Sequence, residues 1–385
     1  MNNTKTMKIG SSLLMVLLCA LPMVAQQASG AERMRIIVDT DIENEMDDQH
    51  ALAYTLFNSH VFEVEGVTTN SKHQWEVEPF EREAKRIVHL CASTAPVHVG
   101  AYMTYDRMKG EINKPTFDGH AAVNFIIERA HAKDPGGRPL YVMTFGKVTN
   151  LSLALLKDPT IAPKIRAVTL MTRFPASLEP SANWTVSESN HLDDRYAAAA
   201  LLENAALELH IVPWPSHVPG GVNTINPSIQ EIYDIMPGLG PKVAPIGYQN
   251  DKQKRTFEGQ AFTCFGDYSV ALFQNLEHVL VTRYGVSSTK VRSTKRDLLD
   301  VAAPMVLKNP SYAVSTVIGA PRWDGTPDWK GSKNEEPGKW ILNPDNPRKV
   351  TVWNRLHLQH SLVMADYWNT MRNPVIDLPA RGGTP

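Results

Sequence analysis

The stretch IIVDTDIENEMDDQHAL, residues 36–52, carries the strongest signal for the fold of this 385-residue chain. Three apolar residues are followed by six carboxylates, and Asn44 adds another side-chain oxygen. Like charges at the end of a buried strand are destabilising unless a cation or a positively charged ligand compensates them. Carboxylate oxygens are also the ligands that calcium and magnesium prefer. The stretch therefore predicts a cation site, with a solvated acidic turn as the alternative.

Strand and helix patterns alternate through the first half of the chain. Short apolar runs predict strands, and amphipathic runs between them predict helices, the first of which begins on acids that suit its dipole. This alternation predicts an α/β fold, with a mainly parallel central sheet flanked by helices on both faces. Ligands of such folds bind beyond the carboxyl ends of the strands, where the opening acids lie. The predicted strands are 35–39, 62–69, 96–100, 139–145, 165–171 and 207–213, and the predicted helices are 47–57, 78–91, 120–132, 150–158 and 194–204.

The pattern loosens after Pro213. Helices are predicted at 262–282, 298–307 and 356–371. The tail from Gly319 is rich in Pro, Trp and Asp, which predicts ordered loops and a short β-ribbon. No linker, repeat or low-complexity segment interrupts the chain, so residues 32–385 are predicted to form a single domain with a C-terminal elaboration.

Residues 1–31 predict a secretory signal peptide. Lysines precede an apolar run at 13–24, and small residues follow it, which places cleavage between 25 and 31. The run is too short for a comfortable membrane span, and no later stretch is long and apolar enough for one. We therefore expect an exported protein, periplasmic or secreted, with Cys91 and Cys264 as buried thiols. The formal net charge of −1 provides no basic field for nucleic acid.

The opening stretch resembles that of the inosine–uridine-preferring nucleoside hydrolases, Asp-Thr-Asp-Pro-Gly-x-Asp-Asp-Ala. Here it stands as DTDIENEMDDQHA, so the match falls on Asp39, Asp41, Asp47 and Asp48. The Pro-Gly is missing, and two extra residues lie between Asp41 and Asp47. An isolated Asp-x-Asp also follows a strand in haloacid-type phosphatases, but similar motifs continue in order over roughly residues 35–310. These are VEGVTTN (64–70), APVHVGA (95–101), HAAVNFIIERA (120–130), FGKVTNLSLALLKDPTIAPKIRAVTLM (145–171, similar to a stretch that begins Gly-Pro-Leu-Thr-Asn), ESNHLDDRYAAAAL (188–201) and LLDVAAPMVLKNP (298–310).

The resemblance implies a calcium-dependent hydrolase of the N-glycosidic bonds of ribonucleosides or related ribosides. The calcium ligands that it implies are Asp41, Asp48, the backbone carbonyl of Phe145, and Asp300. Asp41 would also be the base that takes a proton from water. The substrate-binding residues that it implies are Asp47, Asn70, Glu188 and Asn190. Asn183, which precedes Glu188 in a predicted loop, is a further candidate for contact with sugar or base, with loop packing as the alternative.

Protonation of the leaving group has no evident donor in the sequence. Leu299 stands beside Asp300, where many members of the resembled family carry a histidine. Glu43, Glu45 and His191 are nearby candidates, although each is also expected as a solvated loop side chain.

Three polar residues at predicted helix starts have a structural alternative. Thr149 and Asn150 fit as caps of the helix that follows them, and Asp194 is expected to cap the next one.

Two other functions stay open at this point. The chain fits a hydrolase of another glycoside, and it fits a calcium-dependent sugar-binding protein without turnover. The insertion after Asp41 and the leucine at position 299 motivate both alternatives. In each case the expected partner is a small molecule, a nucleoside or riboside in the first instance. The resembled family tends to form dimers and tetramers, so a homo-oligomer is also expected.

Overall fold

A computed structural model describes most of the chain from Glu32 onward. The predicted signal peptide lies outside the described residues, as do Asn183 and Glu188 among the predicted site residues. The described residues from Arg33 onward belong to one compact unit. In the described part of the chain, no helix is long and apolar enough to cross a membrane. The described residues are 32–43, 45–71, 77–115, 117, 120–170, 173–174, 184–185, 189–215, 225–249, 254–324, 339–341, 345–356 and 360–377.

An eight-stranded sheet forms the centre of the fold. The strands in chain order are β1 Met34–Thr40, β2 Phe62–Thr69, β3 Val97–Val99, β4 Leu140–Thr144, β5 Ile165–Thr169, β6 Arg173–Phe174, β7 Trp184–Thr185, β8 Glu208–Ile211, β9 Trp214–Pro215, β10 Ile246–Gly247, β11 Ala261–Phe262, β12 Ala313–Gly319, β13 Arg322–Asp324, β14 Lys339–Ile341 and β15 Lys349–Leu356. The order across the large sheet is β3-β2-β1-β4-β5-β8-β15-β12, and every pair is parallel except β15–β12. The remaining strands form small accessory sheets.

Helices cover both faces of the sheet, as predicted. Ile36 and Val38 of β1 pack into one hydrophobic core, and Ile37 between them packs into the other. Both faces of β1 are therefore dry, which explains its unbroken apolar run. The first core also contains α1, α2, α9, α11 and α12, and the second contains α4, α5 and α7. The helices are α1 Asp47–Leu56, α2 Glu78–Leu90, α3 Tyr105–Met108, α4 Ala121–His131, α5 Thr149–Lys157, α6 Ser189–Asp193, α7 Arg195–Glu203, α8 Ile229–Ile235, α9 Phe265–Thr282, α10 Ser288–Val291, α11 Ala302–Lys308 and α12 His360–Arg372.

The C-terminal tail contributes more to the central sheet than its sequence predicted. The expected β-ribbon is present as β13 and β14, but β15 also lies between β8 and β12 and extends the sheet. Val350 and Val352 of β15 are buried and alternate with the half-buried Thr351. This two-residue alternation is a strand signal that the Pro-rich and Trp-rich surroundings obscured. The helix predicted at 298–307 is divided into a 3-10 turn, Leu299–Val301, and α11.

The last helix supports the first one. The hydroxyl of Tyr367 on α12 lies 2.7 Å from Nδ1 of His50 on α1, in hydrogen-bond contact. Both side chains are fully buried, and burial lowers the pKa of His50 to about 3. The imidazole is therefore neutral at neutral pH and serves as a structural link between the two helices.

Close packing around Gly100 holds the side chain of Asn150 in place near the carboxyl end of β1. A Cβ on Gly100 would lie 2.2 Å from the carbonyl oxygen of Thr69 and 2.3 Å from Nδ2 of Asn150. Only glycine leaves room for the Asn150 amide at this point. The amide oxygen of Asn150 accepts a hydrogen bond from the backbone N–H of Ala101 at 2.7 Å. Asn150 is thereby held against the carboxyl end of β1.

Candidate active site

Asp39 is the centre of a buried hydrogen-bond network at the carboxyl end of β1. Its carboxylate accepts from Thr68 Oγ1 and Asn150 Nδ2, each at 2.7 Å, and from Asn70 Nδ2 at 3.3 Å. Burial raises the pKa of Asp39 to about 7, and the negative charge of Asp41 adds to this, whereas the three hydrogen bonds oppose it. The network fixes the side chains at the middle of the sheet edge.

Asn70 lies at the end of β2, where the sequence predicted a sugar-binding residue. Its Nδ2 donates to Asp39 and, at 3.3 Å, to the carbonyl oxygen of Lys147. These two acceptors fix the orientation of the amide. Its Oδ1 is buried and accepts from none of the described residues. A buried carbonyl without a donor is costly, so this atom is an acceptor available to a bound hydroxyl.

Three buried carboxylates, the acidic trio of Asp47, Asp48 and Asp300, meet beside this network. One oxygen of each lies within 4.8 Å of those of the other two. Asp47 and Asp48 open α1, and Asp300 belongs to the 3-10 turn Leu299–Val301, which packs against α1. Thr40 Oγ1 donates a hydrogen bond to Asp48. The trio is formed by chain segments about 250 residues apart in sequence, as expected of a site that tertiary packing assembles.

The acidic trio fits a hard divalent cation by its donor chemistry. It offers only carboxylate oxygens, and their relative exposures are 5, 2 and 6%. Burial raises the pKa of Asp47 to about 6, while the nearby guanidinium of Arg296 lowers it and Glu45 raises it. Clustered buried carboxylates of this kind resist ionisation until a cation compensates them.

The predicted metal ligands are only partly brought together. Asp48 and Asp300 belong to the trio, which also includes Asp47, predicted instead to hold the sugar. Asp41 is buried outside the trio, and its carboxyl group lies against Gly146, where a Cβ would come within 2.8 Å of Asp41 Cγ. The individual roles of these carboxylates stay predictions.

Asn190 links the site to two strand ends. This predicted substrate ligand lies in α6 and donates from Nδ2 to the carbonyl oxygens of Phe145, at 2.5 Å, and Leu170, at 3.1 Å. The Phe145 carbonyl, predicted as a metal ligand, is therefore engaged by an amide. A carbonyl oxygen has two lone pairs, so this hydrogen bond leaves one for another partner.

The lengthened segment between Asp41 and Asp47 contains two glutamates, Glu43 and Glu45, which are called the insertion glutamates below. Arginines from distant parts of the chain compensate their charges. Glu43 lies 3.6 Å from Arg255 and accepts a hydrogen bond from the Tyr248 hydroxyl at 3.5 Å. Glu45 forms an ion pair with Arg296. The expectation of a solvated side chain was wrong for Glu43, which is 4% exposed, because Arg255 and Tyr248 enclose it.

The candidate proton donors are either buried and neutral or paired with arginines. His191 is fully buried, and burial lowers its pKa to about 3, so its imidazole is neutral at neutral pH and the prediction of a solvated side chain was wrong. Leu299 is half-buried and packs against the first core. Glu43 and Glu45 are paired with arginines.

Only one of the three polar residues predicted as possible helix caps has that role. Asp194 caps α7, as predicted, because its carboxylate accepts from the backbone N–H of Ala197 at 3.2 Å. Thr149 and Asn150 make no side-chain cap at α5. Thr149 Oγ1 instead donates to Asp194 at 2.6 Å, and Asn150 donates to Asp39. The capping explanation was wrong for these two residues, because tertiary acceptors replaced the local ones.

Lys147 is a site residue that the sequence analysis did not single out. It lies in the loop between β4 and α5, and its side chain is 2% exposed. Its ammonium interacts electrostatically with the carboxylates of Asp194, Asp193, Asp41 and Asp39. The signal was the lysine of GKVTN, which stands where the similar motif has proline.

Solved structures of similar fold are nucleoside hydrolases. A plant nucleoside hydrolase shares 17% identity with this chain and superposes with a TM-score of 0.59 over 89% of this chain and all of its own. An inosine–uridine preferring nucleoside hydrolase from Bacillus anthracis gives 16% and 0.55 over 88% of this chain and 99% of its own. A purine-preferring ribonucleoside hydrolase from Gardnerella vaginalis gives 15% and 0.58 over 88% and 98%. Among curated proteins, none matches this chain in sequence.

Fold and acidic sheet edge together define a protein of the nucleoside hydrolase class. A family model for inosine-uridine preferring nucleoside hydrolases matches residues 36–351, most of the chain. The chain belongs to this family and is an N-ribohydrolase. The match continues beyond residue 310 and into β15, so the tail strands are part of the family fold.

We predict that the two insertion glutamates differ in their importance for stability. Glu43→Gln leaves the buried Arg255 without one of its carboxylates, and such a loss costs about 3 kcal/mol. Glu45→Gln removes a pair whose side chains are 51% and 31% exposed, and exposed pairs contribute less than about 1 kcal/mol. Urea unfolding of the two variants measures the difference. Equal losses would contradict the assignment of Glu43 as the buried anchor.

Proposed function

We propose that the chain hydrolyses the N-glycosidic bond of ribonucleosides or related ribosides with a calcium ion bound at the acidic trio. The observation that carries the proposal is the position of three buried carboxylates beside the Asp39 and Asn70 network at the sheet edge. One group of residues is suited to a cation, and the adjacent one is suited to sugar hydroxyls.

The cation would be held by the acidic trio, with Asp41 and the Phe145 carbonyl as the further ligands that the resemblance implies. Calcium accepts about six to eight oxygen ligands, more than the trio supplies, so additional ligands are required. When bound, such a cation lowers the pKa of a coordinated water.

Asp41 is proposed as the general base. Its carboxyl group is buried next to Gly146, and its negative charge is felt by both Asp39 and Asp47. A positioned carboxylate can take the proton from the attacking water, and general bases contribute about 10²–10⁴-fold to rate.

Asn70 is proposed to hold a ribose hydroxyl. Its Oδ1 accepts no hydrogen bond from the described residues, and a hydroxyl could supply the missing donor. Asp47, Asn183, Glu188 and Asn190 remain the other proposed substrate ligands. A sugar that lacks the corresponding hydroxyl would leave buried polar groups unpaired, which is the physical basis for rejecting it.

Departure of the leaving group is proposed to proceed without a strong general acid. Leu299 has no exchangeable proton, and His191 is neutral and buried. Leaving groups that depart without protonation are therefore the favoured substrates. This preference also keeps a hydrolase of another glycoside as the second candidate function.

Export is a further part of the proposal. The signal-like composition of residues 1–31 supports a periplasmic or secreted enzyme that meets nucleosides or ribosides outside the cytoplasm.

We expect chelator to lower the melting temperature, because a ligand of the native state alone stabilises it. The stabilisation is about 2.7 kcal/mol when free calcium is 100 times its Kd. Asp48→Asn and Asp300→Asn should each remove the chelator effect, and Glu45→Gln, a loop acid outside the trio, should keep it. Differential scanning fluorimetry with and without calcium measures the shift. Absence of a shift in the wild type, with no metal found by elemental analysis, would rule out the calcium site.

Asp41→Asn should lose turnover far more than sugar binding. The expected loss in kcat on a nitrophenyl riboside is about 10²-fold or more, the contribution of a general base. Binding of ribose by calorimetry should weaken much less, with some loss because Asp41 is also a proposed metal ligand. Near-normal turnover by the variant would contradict the assignment. If the calcium-loaded wild type binds ribose but cleaves no riboside, the protein is a sugar-binding protein.

The leaving group should decide which substrate is cleaved fastest. Nitrophenyl riboside should be hydrolysed about 10²-fold faster than inosine or more, since general acid help of about that size is missing. Leu299→His should narrow the gap, and Leu299→Met, which keeps the apolar volume, should not. The measurement is kcat/KM for both substrates. The prediction fails if inosine is the better wild-type substrate and the histidine changes nothing.

A further inference from the structure

Lys147 is a buried cation without a close partner. Its side chain is 2% exposed and ranks among the large, fully buried side chains of the protein. Among the described residues, none accepts a hydrogen bond from its Nζ and none forms an ion pair with it; the contact of Lys147 within the site is through its backbone carbonyl, which accepts from Asn70. A buried ammonium without acceptors is destabilising by several kcal/mol. No direct hydrogen bond or ion pair of the described residues therefore accounts for a lysine here.

The surroundings of Lys147 indicate what the ammonium serves. Burial lowers its pKa, and four carboxylates oppose that effect without reaching ion-pair distance, namely Asp194, Asp193, Asp41 and Asp39. The adjacent residues of the loop contact the site directly. Gly146 touches Asp41, and the Phe145 carbonyl accepts from Asn190. The backbone that carries Lys147 thus contacts the candidate base and two residues proposed to hold the sugar, Asn70 and Asn190.

The charge around Lys147 selects the kind of ligand that it would take. A phosphate or carboxylate on the substrate would be repelled by the four surrounding carboxylates. A neutral hydroxyl avoids this repulsion, because its oxygen accepts from the ammonium and its proton is donated to a carboxylate. A hydroxyl is both donor and acceptor, so it satisfies both groups at once.

We propose that Lys147 is a substrate-binding residue that donates a hydrogen bond to one hydroxyl oxygen of the sugar, while a neighbouring carboxylate accepts the proton of the same hydroxyl. This deepens the proposed function and rests on it. Lys147 then determines specificity, because a sugar without that hydroxyl leaves the ammonium buried and unpaired. The lysine is kept for recognition at the expense of stability.

The test compares a riboside with its 2′-, 3′- and 5′-deoxy analogues, all with the same nitrophenyl leaving group and saturating calcium. In the wild type, kcat/KM should fall strongly for the analogue that lacks the recognised hydroxyl. In Lys147→Met, discrimination against that one analogue should fall by about tenfold or more, the effect of one charged hydrogen bond, and discrimination against the other two should stay unchanged. Unchanged discrimination against all three analogues overturns the proposal.

The melting temperature distinguishes a recognition role of Lys147 from a structural one. Replacement of a buried charge by an apolar side chain of similar length is often neutral or stabilising. Lys147→Met should therefore have an equal or higher melting temperature together with the lost discrimination. A lower melting temperature with intact discrimination shows a structural role and overturns the proposal. If Lys147→Met does not fold, Lys147→Gln is compared in the same way.

Failure of the proposed function gives a different result. If the wild type cleaves no riboside, hydrolysis is excluded, and the Lys147 proposal is then tested by calorimetry with ribose and the three free deoxy sugars. Loss of discrimination in the variant still supports the proposal, and equal binding profiles overturn it.

Discussion

Electrostatic repulsion among carboxylates at the carboxyl end of β1 governs the arrangement of the surrounding structure. Six acids occur in the first ten positions that follow the apolar part of this strand. Burial makes the repulsion severe, because low-dielectric surroundings screen it poorly. Each acid that stays buried therefore requires a hydrogen-bond donor, a cationic side chain or a bound cation, and the chain supplies these from segments far away in sequence.

The compensation takes a different form for each subset of the acids. Asp39 receives neutral donors, which hold it within the sheet edge. The two insertion glutamates receive arginines, which fix the lengthened loop to later parts of the fold. The acidic trio has Arg296 nearby, but retains three carboxylates facing one another. The structure thus neutralises the acids that shape the loop and keeps negative charge where a divalent cation would be useful.

The sequence predicted the architecture well because local patterns encode it. Apolar runs and amphipathic helices gave nearly all central elements within a few residues, and the acids were correctly placed at the carboxyl ends of parallel strands. The partners of these acids were not predictable, because Arg255 and Arg296 meet them only through tertiary packing. Local rules also misassigned Asn150, which resembles a cap in sequence but serves Asp39. A lysine inside an otherwise apolar loop was the visible sign of Lys147, yet burial alone distinguishes it from a solvated side chain.

The contact between the first and last helices bears on the order in which the site is assembled during synthesis. Asp47 and Asp48 are made early, but His50 on the same helix meets Tyr367 of α12 near the end of the chain. Asp300 and the sheet strand β15 also follow late. A growing chain therefore displays its first carboxylates long before their partners exist. Cation capture with fixed geometry therefore requires the nearly finished polypeptide, and fragments that end before α12 would hold the same acids on a helix that lacks the His50–Tyr367 contact.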